Sequence, residues 1–221
     1  MAARLRVRER SFTRGQRSGP RVPCPPIAAA RDRKILAAAQ RLFFERGFHA
    51  VAIDEIGTKA GITGPAIYRH FKGKDEILGT LFDEALDALL ARVGREFDDD
   101  EPLAELEFLA QAHASFVVEH RELSTILVRD DSSLAPEYRR RHSRRERPYI
   151  ARWIDCVRRA YPERSEQEAT TAVFAALTLL NAVGMWPASA RKAEDLAGLL
   201  AQLALGALAA LAERPAARAG H

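Results

Sequence analysis

At 221 residues the chain exceeds what one small module needs and is long enough for a compact head followed by a larger body. Hydrophobic residues make up 47% of it, enough for a real core, and alanine and leucine outnumber valine and isoleucine, which favours helix over strand. The net charge of +4 is too small to name a partner; the two cysteines, Cys24 and Cys156, have neither metal-site nor disulfide-framework spacing, and no segment repeats.

Residues 1–30 read as a basic, disordered tail. Met1–Arg31 holds eight arginines against one acid, Glu9, and Gly15, Gly19, Pro20, Pro23, Pro25 and Pro26 break any period. Such a tail either supplements phosphate contacts or has no role. It lacks the apolar segment of a secretory signal, and no apolar run is uninterrupted over membrane-spanning length, so a reducing cytoplasm and no membrane partner are expected. From Arg31, Ile35, Ala39, Leu42 and Phe43 recur at helical spacing as far as Gly47, a left-handed cap. A second short helix opens near Ile53 with Asp54 and Glu55 in its first turn and ends at Gly61; a third opens at Gly64-Pro65 and runs to Phe71. Three short helices with a glycine turn between the last two follow helix-turn-helix grammar. A long helix then starts after Gly73, with Ile77, Leu78, Leu81, Phe82, Ala85, Leu86, Leu89 and Val93 as its apolar face. The acid run Asp98–Glu101 and Pro102 separate it from a helix carrying Leu106, Leu109, His113, Phe116 and Val117. A short helix at Leu123–Val128, a loop at Asp130–Pro136 and the segments Glu137–Tyr161, Ser165–Trp186 and Ala190–Glu213 follow, with residues 214–221 as a flexible C-terminal tail. The expected fold is all-α with about nine helices: a three-helix head over 31–74 (motif 53–72) and a helical bundle over 75–213.

The informative stretch is Ile53–Lys74, IDEIGTKAGITGPAIYRHFKGK. Ile53, Ile56, Ile62, Ile67 and Phe71 can pack inward. Ala60 is small where the helices must approach, and Gly61 takes the turn conformation that a side chain resists. Thr63 can cap the third helix with its hydroxyl, and Pro65 suits a first turn. Thr58, Lys59, Thr63, Gly64, Pro65, Tyr68, Arg69 and His70 are left on or near the outer surface, followed by Lys72 and Lys74. Small residues there admit the helix to a DNA major groove, and hydroxyls, a phenol and cations reach phosphates. This stretch, with FFERGFHAVAIDEI before it and GITGPAIYRHFKGKDEIL at its end, resembles the TetR family of regulators over Arg31 to about Leu86. The resemblance implies that Thr63–His70 form the recognition helix region, that Tyr68 and Lys74 touch phosphates, and that Arg69 and His70 are further candidates. It also implies a homodimer on a roughly palindromic double-stranded DNA operator, and a repressor released by a small-molecule effector. Where family members often carry Thr or Ser, this chain has Val51 and Ala52, so the second helix lacks a hydroxyl cap.

Beyond Leu86 the resemblance is architectural and the residues argue for themselves. Glu137–Tyr161 carries nine arginines, most on one solvated face, and its apolar stripe Ile150, Trp153, Val157, Tyr161 extends back to Glu146, His142 and Arg139. Three readings stand side by side. Arg139 and His142 hold an anionic group at the mouth of a pocket lined by Phe82, Phe108, Phe116, Tyr149, Trp153 and Phe174; or Pro148 takes the front half of the helix out of the core; or Arg139–Glu146 or His142–Glu146 is a buried pair. The first suits an acyl-coenzyme A or another hydrophobic anion as effector. His113 is a hydrogen-bonded core residue or a pocket residue, and Asn181 bonds across a dimer seam or to a ligand. The last two helices offer Val173, Ala176, Leu180, Gly184, Leu199, Leu203, Ala207 and Leu211 as a dimer interface. No nucleophile with a base, metal-ligand spacing or phosphate loop stands out, so neither catalysis nor a metal or cofactor is expected. A helical lipid or acyl-thioester binding protein without DNA binding is the alternative, and it leaves Ile53–Lys74 unexplained.

Overall fold

The computed structural model describes residues 27–98 and 100–213, so the expectations for residues 1–26 and 214–221 lie outside the described residues. Among those described, nine α-helices account for nearly all the regular structure: α1 (Ile27–Arg46), α2 (Ile53–Ala60), α3 (Gly64–Ile67), α4 (Lys74–Arg92), α5 (Pro102–Glu119), α6 (Arg121–Asp130), α7 (Pro136–Ala160), α8 (Glu166–Asn181) and α9 (Leu196–Glu213). Short 3-10 turns follow α6 (Asp131–Ser133) and α8 (Ala182–Met185), and a third lies at Ala188–Arg191.

Several boundaries differ from the sequence reading; α9, expected from Ala190, starts at Leu196 after the 3-10 turn at Ala188–Arg191. Helix α1 begins at Ile27, inside the stretch assigned to the tail, because Ala28–Ala30 are strong helix formers that extend a helix anchored further on. Helix α3 is a single turn, and Tyr68, Arg69 and His70 continue it as tight turns in which the Arg69 N–H reaches Ala66 O (3.2 Å) and the His70 N–H reaches Ile67 O (2.8 Å).

The head closes over Ile35, Phe43, Val51, Ile56, Ile67, Phe71 and Ile77, all buried. In the body, α5 packs on α9 and α7, and α8 packs on α9 and α7, around Leu106, Leu109, Trp153, Val157, Val173, Leu200 and Leu208. Burying each such side chain contributes about 1.5–3 kcal/mol. Helix α7 runs unbroken through Pro148 and keeps Tyr138 buried before it and Tyr149, Trp153 and Val157 after it. The front half therefore does not leave the core. Proline removes one hydrogen bond, but the front half is held from α4. A Cβ on Gly79 would lie 2.7 Å from the Tyr138 ring, and Asp83 pairs with Arg141 and Arg145.

A buried carboxylate fastens α5 to α7. Glu105 accepts from Arg152 Nε (2.6 Å) and Arg159 Nη2 (2.7 Å), and Arg152 also donates to Arg95 O (2.6 Å) beyond the end of α4. Burial pushes the Glu105 carboxyl up, but hydrogen bonds from Cys156, Arg152 and Arg159 outweigh it and hold it below its ordinary value. Residues 166–185 are long and apolar enough to cross a membrane by length and composition alone, although the sequence showed no uninterrupted run; here they form a wall of the bundle, burying Ala169, Val173, Ala176 and Leu180.

Candidate nucleic-acid interface and effector cavity

Helix α2 starts at Ala52 in extended conformation (φ −88°, ψ 153°) without a side-chain cap. Glu55 takes over part of the missing hydroxyl's work. Its Oε2 accepts the Ala52 N–H (2.8 Å), and its Oε1 pairs with Arg46 Nη1 (2.5 Å), while Arg46 Nη2 donates to Ala50 O (2.7 Å). The Ala52 amide and the Arg46 guanidinium hold the Glu55 carboxyl below its ordinary value. Gly61 makes the turn at φ +75°, and Gly47 ends α1 at φ +84°, as the sequence implied.

The close approach of α2 and α3 falls on glycines, not on Ala60, which is only half-buried. A Cβ on Gly57 would lie 2.9 Å from the Gly64 amide nitrogen, and one on Gly64 would overlap the Asp54 carboxylate. The expected capping bond from Thr63 is absent: Thr63 holds the N-cap position of α3, but its hydroxyl makes no cap bond and stays exposed. Thr58, Lys59, Thr63, Pro65, Tyr68, Arg69 and Lys72 lie on the outer surface, Tyr68 being 59% exposed. Three others serve the head itself. Gly64 is buried under Asp54. His70 places Nδ1 2.6 Å from Asp32 Oδ1 on α1. Lys74 donates to Phe48 O (2.8 Å) and Val51 O (2.9 Å) with its ammonium 4.4 Å above the Phe48 ring, tying α4 to the α1–α2 loop. Residues 63–72 include no acid, so the outer face offers hydroxyls, a phenol and cations to an anionic backbone.

Helix α6 joins the head to the body. Arg129 donates through Nη1 to Phe44 O (3.1 Å) and through Nη2 to Phe43 O, capping the last carbonyls of α1. Buried Asp130 steadies that guanidinium at 3.0 Å, and Ser133 Oγ lies 2.8 Å from His49 Nε2. The same stretch supplies Leu127, Val128 and Asp131 to a cavity of about 260 Å³ walled also by α4, α5, α7 and α8. Its apolar surface is Phe82, Ala85, Leu86, Leu89, Phe116, Ile150, Phe174 and Leu177; its polar groups are His113, Asp131, His142, Ser143, Glu146, Tyr149, Thr178 and Asn181.

His113 sits at the inner end of these polar groups. Its Nε2 is 2.9 Å from Asn181 Oδ1 and its Nδ1 is 2.8 Å from Tyr149 Oη. Burial pulls it down to about 4, so the ring is neutral at neutral pH. A neutral ring has one N–H. With Nε2–H donating to Asn181 Oδ1, Nδ1 accepts the Tyr149 hydroxyl. Burial also raises the Tyr149 phenol. Burial raises the Glu146 carboxyl, His142 opposes this and Asp131 adds to it. His142 Nδ1 stands 4.0 Å from Asp83, the carboxylate that Arg141 and Arg145 already engage.

An exposed helix-turn-helix is thus joined through α4 and α6 to a cavity in a helical body. The sequence matches the model for bacterial regulatory proteins of the tetR family over residues 35–81 and the model for a tetracyclin repressor-like C-terminal domain over residues 99–208. The chain belongs to the TetR family. It is 35% identical to the HTH-type transcriptional activator FasR of Mycolicibacterium smegmatis over 36% of this chain and 34% of that protein. It is 29% identical to the HTH-type transcriptional repressor KstR2 of the same species over 49% of this chain and 53% of that protein. The chain thus spans about a third to a half of the length of these curated relatives. Among solved structures, a tetR-family regulatory protein from Rhodococcus RHA1 superposes with a TM-score of 0.72 at 21% identity, covering 80% of this chain and 95% of that one. AibR in complex with isovaleryl coenzyme A and operator DNA superposes with a TM-score of 0.66 at 20% identity, covering 81% and 97%. At these identities the likeness concerns the fold.

In this TetR-family body, Phe82, His113, Phe116, His142, Tyr149, Phe174 and Asn181 line the cavity as expected, and three expected residues lie outside it. Phe108 turns to Phe97 (ring centroids 5.3 Å apart), and Trp153 is fully buried behind the edge of Tyr149 (6.4 Å). Arg139 is exposed, drawn to the carbonyls of Ser132 (2.9 Å) and Leu134 (2.8 Å) in the loop before α7. Among the described residues, no arginine or lysine lines the cavity. The buried-pair reading also changes partner: Arg139 pairs with neither carboxylate, and His142 lies by Asp83 of α4.

The expected dimer residues divide the same way. Val173, Ala176, Leu180, Gly184 and Leu211 are buried within the chain's own bundle, because α8 turns that stripe toward α7 and α9 and Gly184 abuts Thr125. Leu199, Leu203 and Ala207 face outward, beside Phe174, Ala175 and Thr178 of α8. Sequence reasoning missed Gly57, Asp32 and Arg129. A glycine inside a helical pattern was a usable signal for Gly57; nothing local marks the other two.

Proposed function

We propose that this chain is a ligand-responsive, DNA-binding transcription regulator that represses as a homodimer and is released when the cavity fills. The observation that carries this reading is the double engagement of α6, whose Arg129 grips the end of α1 while Leu127 and Val128, the two residues just before it, touch the cavity. A ligand that resettles α6 moves the head as well. Only a ligand that binds the two head positions unequally can switch the protein. Outward Phe174 (51% exposed), Leu199 (44%) and Leu203 (47%) support a two-fold seam across α8 and α9, which pairs two heads on a palindromic site.

An acyl thioester or other hydrophobic anion is the effector that Arg139 and His142 first suggested, and AibR is a relative whose structure holds isovaleryl coenzyme A. In this chain Arg139 reaches loop carbonyls outside the cavity, so the geometry favours a ligand without phosphates. The test is fluorescence anisotropy with fragments flanking the protein's own gene. Expected specific affinities lie at about 10⁻⁸–10⁻¹¹ M near physiological salt, with Leu203→Arg giving a monomer of much lower affinity. Equal binding to every fragment and to scrambled DNA overturns the reading.

A further inference from the structure

The cavity combines an apolar wall with an unusual charge balance. Its titratable lining groups are Asp131 on the turn after α6, Glu146, His142 and Tyr149 on α7, and His113 on α5. His113 and Tyr149 are committed to each other and to Asn181 on α8. His142 faces Asp83 of α4, whose charge Arg141 and Arg145 engage from outside the cavity. That leaves the half-buried Glu146 and exposed Asp131 carboxyls, which make no side-chain hydrogen bond among the described residues; His142, whose Nδ1 has no hydrogen-bond partner, is the one basic group that acts on Glu146. The nine arginines of α7 make this choice pointed. With Arg139, Arg141, Arg145 and Arg152 all on the same helix, the sequence still delivers Glu146 to the cavity and every guanidinium elsewhere.

We propose that the cavity selects a compact hydrophobic cation, a protonated amine or related nitrogen base, whose apolar body lies on Phe82, Phe116, Ile150 and Phe174 and whose charged nitrogen is held by Glu146 with Asp131. Glu146 is partly withdrawn from water beside the apolar wall while Asp131 is exposed, so the attraction for an ammonium and the repulsion of an anion fall mainly on Glu146. Burial already raises the Glu146 carboxyl, which an incoming cation relieves. The ligand class rests on the effector reading above.

Octylamine, octanol and octanoate share one chain length and differ in head-group charge. Isothermal titration of each into the full chain at pH 7.5 measures the preference, with operator anisotropy run on the same preparations. We expect octylamine to bind at least tenfold more tightly than octanoate, with octanol between them. Glu146→Gln lowers octylamine affinity at least fivefold and leaves octanol within twofold, the octanol binding proving that the variant's cavity is intact. Octanoate binding as tightly as octylamine, no binding of any probe, or octylamine affinity untouched by Glu146→Gln overturns the proposal. Operator binding that persists in any of these cases leaves the regulator reading standing, whereas loss of sequence-specific operator binding refutes that reading separately.

Discussion

Acid should unfold this protein by a route that His113 dominates at first. In the unfolded chain the imidazole titrates near its ordinary 6.5, and in the folded chain near about 4, because it is buried between Tyr149 and Asn181. The unfolded state therefore binds the proton more tightly. Stability from this residue is complete above about pH 6.5 and falls away as the pH drops toward about 4. A difference of about 2.5 units corresponds to about 3.4 kcal/mol in full, of which about 1.8 kcal/mol is lost between pH 7 and pH 5. For a domain with total stability of about 5–15 kcal/mol that is a large fraction. The perturbation is His113→Gln, whose amide can still bond both neighbours but does not titrate. Urea unfolding of the ligand-free protein at pH 7, 6 and 5 gives each stability, and the readout is the difference in pH slope, since the absolute stability of the variant also reflects repacking. The wild type should lose about 1.8 kcal/mol more than the variant over that range. Equal slopes would refute the buried neutral imidazole and the hydrogen-bond direction assigned through it.

Four further outcomes follow from the packing. Gly57→Ala pushes a methyl onto the Gly64 backbone and should cost about 1–3 kcal/mol of head stability with at least a tenfold loss of operator affinity. Gly61→Ala meets nothing within 4 Å and should cost only the left-handed strain of about 1–2 kcal/mol; hydrogen exchange of the head amides separates the two. Arg129→Ala frees the α1 carbonyls and deprives Asp130 of its partner, for roughly 1.5–3 kcal/mol, and should leave effector affinity within twofold while abolishing effector-driven operator release in anisotropy. Arg152→Ala strands the Glu105 carboxylate with Arg159, at a cost of roughly 3 kcal/mol. Because Glu105 is held low when folded, its contribution is present above its ordinary pKa and lost as pH falls through the folded value, so the acid-unfolding midpoint of the variant should move to higher pH.

The helical plan was legible because the apolar period and the glycine stops are local signals: Gly47 and Gly61 both adopt the left-handed conformation that their positions predicted. What escaped was long-range. Arg139 lies on the extended inward stripe of α7, yet the nearby carbonyls of Ser132 and Leu134 claim its guanidinium, which no helical wheel includes. Likewise Val173 and Leu180 are as apolar as a dimer seam requires, and only the placement of α9 decides that they face inward. Seven of the ten expected pocket residues do line the cavity, since aromatic and polar interruptions of an apolar face converge wherever the bundle leaves space. Lys74 and His70 show the converse: residues read as available to phosphates also brace the head from within.

Helix α6 places cavity-lining Leu127 and Val128 directly beside the residue that grips α1. Variation in this chain is therefore unevenly free. The walls contributed by α5 and α7 can be redrawn to suit a new effector with no direct contact to the head. A change of shape at 127 or 128 alters recognition and response together. A programme that retunes the protein as a biosensor would do best to randomise Phe116 and Ile150 while leaving α6 and the outward Phe174 alone, and to reserve α6 for adjusting the dynamic range once the new ligand binds.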